Sequence, residues 1–182
     1  MLARLRAYAA HPDAATRVVN AIALLVGFNG PFYPAYVWFL APEAGPAALA
    51  TMAASPFFLA IPWLARRHAA AARAALPVIG IANTVWTAAL LGRGTGVDVF
   101  LFPCLVLALL CWRERWTMLG LLGAGLLAQQ VLLRWAWAPI ASLAMDGQVA
   151  LQSLNTMSVG ALLAVIALNI ASLLPCQRTR AG

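Results

Sequence analysis

NAIALLVGFNGPFYPAYVWFLAP, residues 20–42, decides the fold. It carries no charged side chain, with Arg17 three positions before it and Glu43 directly after. A hydrocarbon layer ~30 Å thick is crossed by ~20 apolar residues in a helix, and this stretch is long enough. It is too long for the apolar region of a cleaved signal, and it holds Pro and aromatics where a cleavage site needs small residues. It reads as a retained first membrane span.

Outward from this stretch the pattern repeats. Six apolar runs can be drawn, over residues 18–41, 46–65, 75–92, 97–112, 116–137 and 151–175. The arginines alternate between the two sets of connections. Arg4, Arg6, Arg17, Arg66, Arg67, Arg73, Arg113, Arg115, Arg178 and Arg180 fall on one side, and only Arg93 and Arg134 on the other. Short loops rich in basic residues stay cytoplasmic. The expectation is an all-α polytopic membrane helix bundle of six transmembrane helices with both termini in the cytoplasm. It has a cytoplasmic segment 1–17, a six-helix domain 18–175 and a cytoplasmic tail 176–182.

Composition agrees. Of 182 residues, 64% are hydrophobic and 9% charged, where a soluble domain carries about 25% charged. Six spans consume most of the chain and leave no room for a soluble catalytic domain. The net charge of +7 follows from the flanking arginines, so membrane topology accounts for it and a nucleic-acid partner is not expected. The bilayer is the expected partner, and the arginines suit anionic headgroups. Abundant alanine and exclusive use of arginine point to a GC-rich bacterial genome, and so to a bacterial cytoplasmic membrane.

The chemistry that is missing narrows the function. There is no lysine, which excludes a Schiff base. His11 and His68 lie outside the runs, leaving no histidine pair for haem inside a span. Cys104, Cys111 and Cys176 lack metal-ligand spacing, and small apolar packing explains the first two. No acidic residue lies at mid-membrane, where proton-coupled carriers place one. No catalytic set can be assembled, so no enzyme, cofactor or metal is expected. GRGTGVD (92–98) is a Gly-rich turn without P-loop spacing.

The polar residues inside the runs are the candidates for a site. Pro31 and Pro34 remove two backbone donors, so the carbonyls of Gly27 and Gly30 should lose their partners and the helix kink. Asn29, Tyr33 and Tyr36 would share one face of a continuous helix. Pro56 should free the Met52 carbonyl, with Thr51 and Ser55 near enough to satisfy that region. Asn83 and Thr87 share a face of the third span, and Gln130 and Arg134 a face of the fifth. Gly120, Gly123 and Gly125 would allow close helix approach there. In the sixth span Gln152, Asn155, Ser158, Asn169 and Ser172 form a polar face beside small residues at Gly160, Ala164, Ala167 and Ala171, which suggests a central helix. These polar groups either bond neighbouring helices or wall a pocket. The pocket expectation is a ligand site of Asn29, Tyr33, Tyr36, Asn83, Thr87, Gln130 and Asn155. Its outer rim would be closed by Arg134 paired with Asp98 or Asp146.

GFNGPFYPAYVWFL (27–40), LLGRGTGVDVFLFP (90–103) and the Arg113-Glu114-Arg115 turn together resemble the six-helix sensor modules of bacterial membrane receptors. Such modules precede histidine kinases in certain quorum-sensing systems and catalytic domains in some class III adenylate cyclases. The order of motifs and the span count agree over nearly the whole chain. The resemblance implies a small lipophilic ligand bound inside the bundle. Two departures stand out. Such receptors often carry His where this chain has Asn29 or Gly30, and the sequence ends at PCQRTRAG (175–182) without an effector. The expectation is therefore an excised or stand-alone sensor module that signals through a partner protein. The alternatives are a non-catalytic scaffold subunit or a small uncoupled transporter.

Overall fold

A computed structural model describes residues 2–111, 113–134 and 138–173. Trp112, residues 135–137 of the fifth run, and the tail with Cys176, Arg178 and Arg180 lie outside the described residues.

The protein is all-α. Its helices are α1 (Leu2–Ala9), α2 (Ala14–Leu40), α3 (Pro42–Ala65), α4 (Ala69–Leu91), α5 (Val97–Cys111), α6 (Arg115–Arg134) and α7 (Met145–Ala171). Five of them, α2, α3, α4, α6 and α7, are long and apolar enough to cross a membrane, which makes this a multi-pass membrane protein. α5 is apolar but only 15 residues long.

Two of the carbonyls that prolines strand, those of Gly30 and Met52, find a new donor. α2 is α-helical to Asn29, passes through one 3₁₀ turn at Gly30–Phe32, and resumes as α-helix at Tyr33. In that turn the Tyr33 N–H reaches the Gly30 carbonyl. α3 repeats the device: Ala50–Ala54 is 3₁₀, and the Ser55 N–H takes the Met52 carbonyl freed by Pro56. A 3₁₀ turn bonds to a carbonyl three residues back, so it rescues a group that a proline four residues on has stranded. The Thr51 hydroxyl donates instead to the Ala48 carbonyl at 2.6 Å.

Two apolar clusters fill the ends of the bundle. Val19, Ile22, Phe58, Ile61, Leu76, Leu107 and Ile166 form one; Val37, Ala41, Ala44, Leu90, Leu91 and Leu151 form the other. The charges divide the same way. Asp13, which caps α2 through the Thr16 N–H, gathers with Arg73, Arg113 and Glu114 at the first end. At the other end Arg93 meets Asp98, and Glu43 accepts the Ala144 N–H at 3.1 Å.

α7 is not the central helix expected. Its buried residues, Gly147, Leu151, Asn155, Val159 and Ile166, make one narrow stripe, while Gly160, Ala164, Ala167 and Ala171 are exposed. The centre is α4, which packs against α2, α3, α5 and α6. In α6 only Gly125 serves close approach: a Cβ there would meet Leu105 at 2.6 Å, whereas Gly120 and Gly123 face open space.

Candidate functional site

Between the two apolar clusters lies a cavity of about 420 Å³ walled by α2, α3, α4, α5 and α7. Of the residues expected to form a site, Asn29, Tyr33, Asn83 and Thr87 line it. Phe58, Leu76 and Leu107 form its apolar floor, shared with the first cluster. No charged side chain is among the lining residues.

Two of the polar groups on its wall have no protein partner among the described residues. The buried Asn83 Oδ1 is without a hydrogen bond, and the Asn29 side chain, exposed at the mouth, makes none, while the buried Tyr33 hydroxyl meets the Asn155 side chain. A buried polar group left unpaired costs about 1–3 kcal/mol. By contrast Thr84, also on the wall, is satisfied by the Gly80 carbonyl at 2.9 Å, as a hydroxyl in a helix commonly is.

The cavity opens sideways. Asn29, Leu25 and Ala161 line it and are at the same time exposed, Leu25 by 46%, so the mouth lies beside α2 and α7. That mouth is bordered by spans on the bundle's flank, where lipid rather than water surrounds a membrane protein.

Three expected residues stand elsewhere. Tyr36 is half exposed and points away from the cavity. It lies beyond the 3₁₀ turn, and the cavity's lining on α2 stops at Tyr33. Gln130 is exposed on α6, which forms no wall of the cavity. α6 buries Leu121, Gly125, Ala128 and Leu132, and position 130 falls on the opposite side. Asn155 is fully buried but acts as a clamp: its amide donates to the Thr95 carbonyl at 2.8 Å and fixes α7 to the Gly-rich turn. Its side chain also meets the Tyr33 hydroxyl on the cavity wall.

Among the described residues the expected rim pair does not form. Asp98 sits 3.6 Å from Arg93, not from Arg134. Gly92 and Gly96 take positive φ, folding 92–98 into a tight turn that brings those two side chains together. Among the described residues neither Arg134 nor Asp146 has an ion-pair partner.

Sequence reasoning missed other wall residues. Gly80 and Cys104 meet across α4 and α5, where a Cβ on Gly80 would lie 2.6 Å from the Cys104 sulfur. The signal was present in principle, since a glycine in mid-span facing another helix marks close approach. Ser158 and Pro103 also line the wall.

The buried Arg73 was missed entirely. Its Nη1 donates to Asp13 and to the Thr16 hydroxyl, each at 3.0 Å, and its Nη2 to Glu114 at 2.5 Å. Burial alone pushes the Asp13 carboxyl up. Hydrogen bonds from Thr16 and the charges of Arg73 and Arg113 outweigh that and hold it below its usual value of 3.8.

No known protein family, curated protein or solved structure matches the chain.

Proposed function

We propose that this chain is a six-span sensor module of the bacterial cytoplasmic membrane that holds a small, neutral, lipophilic ligand in the central cavity and signals through a partner protein. The observation that carries the reading is the wall itself. Asn29 and Asn83 present polar groups without protein partners to a cavity that is mostly apolar and free of charge. Helix glue would be bonded; these groups are not. A ligand with one polar group and an apolar body satisfies both kinds of surface. The lateral mouth supports entry from the lipid.

The sixth crossing in this reading is α5. Its seven 3₁₀ residues and eight α residues give a length of ~26 Å, longer than a pure α-helix of the same count. With α5 crossing, the arginine-rich connections share one face and both termini lie in the cytoplasm. Occupancy would be reported through α4, which runs from the cavity wall at Asn83 to Arg73 at the basic end.

The test is native mass spectrometry of the protein purified in mild detergent from its own host. A reproducible small-molecule adduct that disappears in Asn29→Leu/Asn83→Leu supports the reading; a bare chain, or an adduct indifferent to both changes, defeats it.

A scaffold subunit without a ligand is the second reading. It is favoured by one observation, the exposed face of Gly160, Ala164, Ala167 and Ala171 on α7, which would suit close packing by another membrane helix. Stoichiometric co-purification of a membrane polypeptide, with no adduct, would favour it.

A further inference from the structure

The basic end of the bundle is built, and not merely charged. α1 is stapled across it: the Tyr8 hydroxyl donates to the Leu59 carbonyl at 3.0 Å, and the Asn20 amide donates to the Ala9 carbonyl at 3.1 Å. At the end of α3 two consecutive arginines each lie on an aromatic ring. The Arg66 guanidinium carbon stands 5.1 Å from the centre of the Tyr8 ring, and that of Arg67 stands 4.4 Å from the Trp63 ring. A guanidinium held face-on to a ring keeps its N–H edge free and loses little freedom when it binds an oxyanion.

The acids at this end do not compete for that edge. Asp13 and Glu114 both bond to the buried Arg73. Arg4, Arg6, Arg17, Arg66, Arg67 and Arg115 are exposed around them. Arg4 lies one helical turn before Tyr8, on the side of α1 that meets Arg66.

We propose that Arg66 and Arg67, with Arg4 beside them, form a binding site for the phosphate of an anionic phospholipid headgroup. The source is a lipid, not a soluble anion, because of where the site sits. Trp63 is an amphipathic ring at the end of a spanning helix, and Tyr8 of α1 rests against that same end, the depth at which aromatic belts meet headgroups. The phosphate of a bilayer lipid lies at that depth, with its acyl chains along the apolar outer surface of α3, where Phe57 is 63% exposed. The site is independent of the central cavity and of what binds there.

The test uses the full chain in mild detergent. Native mass spectrometry would compare retention of dioleoyl phosphatidylglycerol with that of dioleoyl phosphatidylcholine. Phosphatidylglycerol should be retained and phosphatidylcholine not. Arg66→Gln/Arg67→Gln should weaken phosphatidylglycerol binding by roughly thirtyfold, the effect expected of two arginines at an anionic surface. Arg93→Gln, at the opposite end, should leave it unchanged. Arg66→Lys/Arg67→Lys keeps the charge and removes the planar fork; it should lose several-fold, and it carries the test should the glutamine variant fail to fold. Equal retention of the two lipids overturns the proposal, as does full retention in the variants or equal loss in Arg93→Gln. Displacement of the lipid by millimolar inorganic phosphate would show an anion site without lipid recognition, and overturns it too.

Discussion

The Ser55 hydroxyl occupies the place where a Cβ on Gly30 would stand. α2 and α3 cross there, where α2 turns from α to 3₁₀ and α3 turns back from 3₁₀ to α. Gly30→Ala should therefore destabilise the bundle by about 1–3 kcal/mol, the range for overpacking. In Gly30→Ala/Ser55→Ala the nearest atom becomes the Ser55 Cβ position at 3.3 Å, so the double variant should recover most of the loss. Melting in detergent, followed by circular dichroism, checks this. Gly120→Ala, which meets nothing, serves as the control and should gain a few tenths of a kcal/mol to ~1 from helix propensity.

Arg73→Gln should be among the most damaging single changes in the chain. It leaves Asp13 and Glu114, with side chains only 24% and 32% exposed, without their common cation. Breaking one side of a buried pair costs 3–5 kcal/mol, and the partial exposure of the acids reduces this to about 2–3 kcal/mol. Arg115→Gln, whose side chain is exposed, should shift the melting temperature little.

Acid should weaken the same cluster. Because the Asp13 carboxyl is held below 3.8 in the folded protein, the stability it contributes is complete above that value and is lost as pH falls through the lower, folded value. The melting temperature of the wild type should owe no change to this group between pH 7 and ~5, and should fall below pH ~4. The gap between wild type and Asp13→Asn should narrow over the same interval. A gap that stays constant down to pH ~3 would contradict the assignment.

Asn83→Leu should separate stability from ligand retention. Its Oδ1 is buried without a partner, and replacing it with an apolar group of similar size removes that cost. The variant should melt higher, by the equivalent of about 1 kcal/mol, while any native adduct is lost. Thr84→Val, which removes a hydroxyl already bonded to its own helix, should change neither by much.

Five spans were legible because lipid demands them: an uncharged run as long as 20–42 has few other uses, and Arg17 and Glu43 mark its ends. The 3₁₀ turns were less legible. Paired prolines announce that α-helical bonds are lost, but not that Tyr33 and Ser55 would shorten the reach to recover them. Asn29, Tyr33, Asn83 and Thr87 could be picked out because a polar side chain in mid-span is rare. Gln130 satisfied the same criterion and lies outside the cavity, since periodicity gives a face but not what that face meets. The Arg73 cluster was illegible for a related reason: its members come from three distant parts of the chain, and nothing local says which of them touch. α1, by contrast, had a weak signal in the spacing of Leu5, Tyr8 and Ala9.

The Arg73 cluster also sets an order of events during synthesis. Asp13 and Arg73 are separated by 60 residues, and Arg73 and Glu114 by 41. Asp13 is translated first and waits while α2 and α3 are inserted. Arg73 then arrives with a single acid to meet it, and Glu114 follows only after α5 has left the ribosome. The basic end therefore closes late, and a chain arrested before residue 114 would hold its first three spans together with an arginine paired to Asp13 alone at their shared edge.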